Sequence, residues 1–166
     1  MDDIVANRKT VDECRKLEAN AERLERPEIA KQCRQRAIQI QAADYVGADE
    51  ISAPEMEAIE ALMAYERILT DKNGRKTRAS RTRKMFDTHG IIKGVERAVV
   101  RPAATEGFAS LIESGLEQHA FEAVILRNEA DFSDEAVAMS RERMKDVNMG
   151  EVESEPVMSD PEAKPE

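Results

Sequence analysis

Residues 51–74 read ISAPEMEAIEALMAYERILTDKNG, a complete helix from start signal to stop signal. Ser52, with Glu55 three residues on, makes a capping box, in which two otherwise orphaned amide donors are satisfied. Ile51 before the cap and Met56 after it have the spacing of a hydrophobic staple. Ile59, Leu62, Met63 and Leu69 then build one apolar face. Asn73-Gly74 ends the helix, because both residues tolerate the left-handed backbone of a C-cap.

The same grammar runs outward in both directions. Upstream, Thr10 and Glu13 form another capping box, and Val11, Cys14, Leu17, Ala21 and Leu24 line the helix it opens. Residues 2–8 add a short lead-in helix. Pro27 fits the first position of the next helix, whose face is Ile29, Cys33, Ala37 and Ile40. The pair reads as a hairpin with a tight turn at 25–26, and Gly47 closes it. Downstream, a fourth helix is expected over 78–89, ending at Gly90, and a fifth over 91–100, ending before Pro102. Thr105 caps a sixth with Phe108, Leu111 and Ile112, closed by Gly115. A seventh is expected from Leu116 to Arg127, with Ala120 to Leu126 at the centre of the core. Ser133 caps the last, stapled by Phe132 and Val137 and running to about Asp146.

This predicts an all-α fold: one domain over 1–148, a compact bundle or short helical-repeat-like stack of seven to eight short helices. Residues 149–166 hold three Pro, six carboxylates and one Lys with no apolar period, and read as a disordered acidic tail. The length of 166 residues suits one domain with a sizeable core. Aromatics are 4% with no Trp, which argues against a single-strand binder built on stacked aromatic rings. The apolar runs are too short for a membrane span. The acidic start carries no signal-peptide pattern, and two cysteines make no disulfide framework. A cytoplasmic protein with no membrane partner is the expectation.

The net charge of −9 conceals a strong polarity. Residues 72–84 read KNGRKTRASRTRK, seven basic and none acidic, so the segment carries +7 and the rest of the chain −16. Folding does not need this. Arg78, placed at the start of the fourth helix, opposes the helix dipole, a local mismatch of the kind found at functional positions. Lys72, Arg75, Lys76, Arg78, Arg81, Arg83 and Lys84 are therefore candidate contacts to phosphate, with Thr77, Ser80 and Thr82 as hydroxyl donors beside them. Lys93, Arg97 and Arg101, at four-residue spacing on the fifth helix, extend the surface if the two helices pack together. The sequence points to a nucleic-acid-associated protein of bacterial type, DNA before RNA, acting alone or as an accessory subunit. The alternative is an adaptor or regulatory protein that docks an acidic protein partner through the same patch. In either case the tail, at −5, is a natural competitor for the patch. The two helices around Gly90 have a helix-turn-helix outline, but the second opens on Ile91-Ile92-Lys93, which suits packing better than base readout.

No catalytic constellation, metal site or cofactor is expected, and the chain reads as non-enzymatic. Asp71 to Thr82 fails as a calcium loop, with Gly74 at position four, Arg75 at five and Thr82 where the bidentate Glu belongs. Cys14 and Cys33 read as core residues of facing helices, about one turn, or 6 Å, out of level. His89 at a helix end and His119 in a first turn lack zinc spacing. The carboxylates, among them Glu55, Glu57, Glu60, Glu113 and Glu117, read as solvated helix surface.

Overall fold

The helix over Ala53–Asn73 is the post on which four other helices pack. The computed structural model describes residues 1–152, with side chains described as far as residue 147. All the described regular structure is helical: α1 (Asp3–Ala6), α2 (Val11–Arg23), α3 (Pro27–Val46), α4 (Ala53–Asn73), α5 (Ser80–His89), α6 (Ile91–Val99), α7 (Glu106–Glu113), α8 (Phe121–Arg127) and α9 (Asp134–Val152). Single 3₁₀ turns at Glu117–His119 and Glu129–Asp131 flank α8. No described helix is long and apolar enough to cross a membrane.

The start and stop signals act as read. Both capping boxes form, with Glu13 N–H to Thr10 Oγ1 at 3.2 Å and Ser52 N–H to Glu55 Oε2 at 2.8 Å. Thr105 and Ser133 accept from Phe108 and Ala136, and Gly74 adopts the left-handed conformation. The α2–α3 turn is a Schellman closure in which Glu25 takes φ 53° and Arg26 N–H donates to Ala21 O at 2.8 Å.

Burial divides into two apolar clusters that share α3. Ile29, Ala30 and Cys33 join Val5 and Ala21 in a small cluster under α1 and α2. Further along, Ile38 and Ala42 belong to the main core with Ile59, Leu62, Val95, Val99 and Ile125. Val124 and Ile125 have no exposed surface, as the apolar run of α8 implied.

Five expectations need correcting. The helix expected from Leu116 to Arg127 is broken, because Ala120 is extended at ψ 144°. The break lets residues 117–119 pack on α4 and α7 while α8 turns onto α9. The helix expected from 78 begins at Ser80, because the Ala79 N–H is taken by the Glu66 carboxylate at 2.9 Å. Leu24 is 58% exposed, since it stands just beyond the last turn of α2. Ile40 lies on the half-buried flank of α3. α9 passes its expected end near Asp146 and reaches Val152; the rest of the expected disordered tail lies outside the described residues.

Candidate nucleic-acid interface

The α4–α5 connection is a strap, tied down at two points. Thr77 N–H donates to Thr70 Oγ1 at 3.0 Å, and the Asn73 side-chain amide donates to Thr77 Oγ1 at 3.2 Å. Two residues on, Glu66 takes the Ala79 amide. Between and around these ties, Arg75, Lys76 and Arg78 are exposed. Lys72 precedes the strap on α4, and Arg81 and Lys84 follow it on α5, all exposed. None of these six cations makes an ion pair among the described residues. They form the exposed, uncompensated part of the segment.

The seventh cation is used differently. Arg83 turns inward and grips Glu66 with two bonds, Nε to Oε1 at 2.6 Å and Nη2 to Oε2 at 2.7 Å. Its guanidinium also lies 4.9 Å from the centre of the Tyr45 ring, a cation–π contact. Arg83 is therefore a structural clamp, which corrects its reading as a phosphate contact. Thr77 is corrected as well, because its hydroxyl already donates to Arg75 O at 2.9 Å. Arg78 lies in the strap before the helix, so the mismatch with the helix dipole falls on Arg81 and, more weakly, on Lys84.

The secondary set separates. α5 and α6 pack as neighbours, joined by Gly90 alone at φ 82° and ψ 164°. A helix-turn-helix uses a turn of three to four residues, so this corner has another geometry. Ile91 and Ile92 are half-buried against the core. Lys93 pairs with Glu96 at 3.3 Å, which blunts it as a phosphate contact. Arg97 is exposed on the outer face of α6. Arg101 is exposed and lines the same cleft as Arg81.

Buried carboxylates are what the sequence reading missed. Glu18, Glu66 and Glu122 are all less than 9% exposed, and each meets an arginine. Glu18 accepts from Arg67 at 2.6 Å and from Arg34 at 3.3 Å. Glu122 accepts from Arg143 at 3.1 Å, and Arg143 also donates to Val99 O and Arg101 O at 2.6 Å each. Burial holds the Glu122 carboxyl above its ordinary range despite Arg143. Burial does the same to Glu60, which is half-buried rather than solvated, and Glu57 pairs with Arg127 at 2.8 Å. The signal was in the phase: Glu18 falls between Cys14 and Ala21, and Glu66 follows Leu62 and Met63. Cys14 and Cys33 are free, fully buried thiols, as expected of core residues. The chain matches no family profile, no curated protein and no solved structure.

Proposed function

We propose that this chain is a non-enzymatic, cytoplasmic nucleic-acid-binding protein, taking duplex DNA ahead of RNA through its basic strap, alone or as an accessory subunit. One observation carries the reading: six exposed cations stand on and beside a strap tied at Thr77 and Ala79, with no carboxylate paired to them among the described residues. Pre-ordering the strap lowers the entropy lost when it meets a row of phosphates. DNA is favoured because sequence-specific RNA recognition stacks bases on aromatic rings, and the large hydrophobics exposed here, Met1, Ile4 and Leu24, include none.

The test is fluorescence anisotropy with a labelled DNA duplex between 50 and 200 mM salt, a range over which phosphate contacts are lost steeply. Six contacts give a log–log salt slope of about −5. Arg78→Glu with Arg81→Glu should abolish binding while the far-ultraviolet circular dichroism stays unchanged. Absence of binding at low salt overturns the proposal, and affinity that survives the double reversal places the contact elsewhere. The carboxylates of residues 149–166 favour one competitor, the chain's own end. Converting them to amides should then tighten DNA binding in the full chain.

A further inference from the structure

The strap leads to the mouth of a cleft whose interior the nucleic-acid reading does not use. It measures about 620 Å³, is open to solvent on one side, and is lined by α4, α5, α6, α7, α8 and the 3₁₀ turn at Glu117–His119. Leu62, Tyr65, Met85, Phe108, Leu111 and Phe121 give it apolar walls. Protein interiors are packed close to crystal density, with few voids larger than a water molecule. A space of this size lies instead in the range of small-molecule sites. At the ~30 Å³ that one water occupies in the liquid, it holds roughly twenty non-hydrogen atoms.

Two further observations, independent of the volume, point to a ligand. His119 lines the cleft, is 5% exposed, and its Nε2 has no hydrogen-bond partner. Buried polar atoms are nearly always paired in native structures; this nitrogen lacks a partner but has almost no accessible surface of its own, so a ligand group reaches it only if the ring turns. At the mouth stand Ser80, Arg81 and Thr82, the first turn of α5, which has no side-chain cap. Its leading amides lack intrahelical acceptors and suit an anion. Arg101 reaches the same edge.

The charges set the size of that anion. Glu122 is engaged by Arg143, so the floor adds no net charge. Glu106 is the one other carboxylate among the lining residues, against Arg81 and Arg101. The mouth therefore carries a single surplus positive charge, matched to a monoanion. A carboxylate meets this with the fork geometry that arginine favours.

We propose that the cleft binds a small amphipathic carboxylate, its head between Arg81, Arg101 and the α5 amides, its apolar body among the aromatic and aliphatic walls, and a distal hydrogen-bonding group toward His119. The cleft shares Arg81 and Arg101 with the proposed DNA contacts, so a ligand there competes with DNA for these two side chains. Gly107 offers the means to close it without unfolding the chain. A Cβ built there comes no nearer than 3.7 Å to Tyr65 and to Thr105, and the position is already helical. Gly107→Leu therefore fills the cleft, and gains up to about 1 kcal/mol of helix propensity.

The probe is 6-hydroxy-2-naphthoate, titrated against the full chain by calorimetry, with 2-naphthol as the analogue lacking the carboxylate. The chain should bind the naphthoate, and 2-naphthol at least about tenfold more weakly, as expected of a charge-assisted head group. Gly107→Leu should weaken naphthoate binding at least about tenfold with no fall in Tm and no change in DNA affinity. Arg81→Gln with Arg101→Gln should weaken the naphthoate to the level of 2-naphthol. No naphthoate binding up to about 1 mM, equal binding of 2-naphthol, or unchanged binding in Gly107→Leu each overturns the proposal. The naphthoate titrations are read without DNA and leave the salt slope as a separate test, whereas Arg81→Gln with Arg101→Gln should also lower DNA affinity.

Discussion

Replacing Glu66 with Ala removes the acceptor of three hydrogen bonds at the start of α5: Arg83 Nε at 2.6 Å, Arg83 Nη2 at 2.7 Å and Ala79 N–H at 2.9 Å. The orphaned, buried Ala79 amide costs about 1–3 kcal/mol. The Arg83 side chain is 24% exposed, so water recovers part of its charge. Its loss thus falls below the roughly 3–5 kcal/mol of a fully buried pair. About 1.5 kcal/mol for each contribution gives a total near 3 kcal/mol. For a chain of this size that lowers Tm by about 6–12 °C. Urea denaturation followed by far-ultraviolet circular dichroism measures it. Glu66→Gln keeps an acceptor for Ala79 and should lose about half as much. A double-mutant cycle with Arg83→Ala should give a coupling of at least about 1.5 kcal/mol, within the range for directly bonded residues. Arg75→Ala and Lys76→Ala should stay within about 0.5 kcal/mol of the parent, as exposed positions do. A Glu66→Ala loss under about 1 kcal/mol, or a coupling below about 0.5 kcal/mol, would refute the clamp.

Three further outcomes follow from local geometry. Burial, and to a lesser degree the Arg127 charge, push His119 down from 6.5 to about 4. The unfolded chain therefore takes up this proton before the folded chain does. Stability from His119 is intact above pH 6.5 and falls as the pH drops toward about 4, by on the order of 3 kcal/mol. The stability difference between the parent and His119→Gln should shrink across that window, and a constant difference would exclude the linkage. Glu25→Gly should raise Tm, because a left-handed non-glycine costs about 1–2 kcal/mol against the roughly 0.5–1 kcal/mol of extra glycine entropy; an unchanged or lower Tm contradicts this. Gly94→Ala should destabilise by about 1–3 kcal/mol in spite of its helix propensity. Its Cβ would stand 2.5 Å from Phe86 Cδ1, and that ring is buried and packed 5.9 Å from Phe121. A stable Gly94→Ala shows that the ring has room to move.

Local chemistry was the legible part of this fold. Thr10 with Glu13, Ser52 with Glu55, and Gly74 act over three or four residues, so their neighbours in sequence are their partners in space. The hidden part depended on distant partners. Ala120 is a strong helix former, yet its backbone is extended, because the segment before it packs on α4 and α7 while the segment after it packs on α4, α6 and α9. Arg83 looks like its neighbours in a basic run, and only Glu66, seventeen residues earlier, distinguishes it. At the candidate interface, Lys72, Arg75, Lys76, Arg78, Arg81 and Lys84 were identifiable by type and spacing, since exposure is the default for such residues. The cleft was not, because five separate helices line it and no local motif marks their meeting.

The division of burial around α3 supplies two optical handles on one chain. Both cysteines are fully buried in the α2–α3 hairpin, and burial raises both thiol pKa values. Both tyrosines, Tyr45 and Tyr65, pack against the main core, and the chain has no Trp. Thiol labelling thus times the opening of the hairpin, while tyrosine emission follows the rest. A labelling rate that outpaces loss of the tyrosine signal would identify α1 and α2 as a separately opening unit. The wild-type chain thereby carries its own pair of reporters for local and global unfolding.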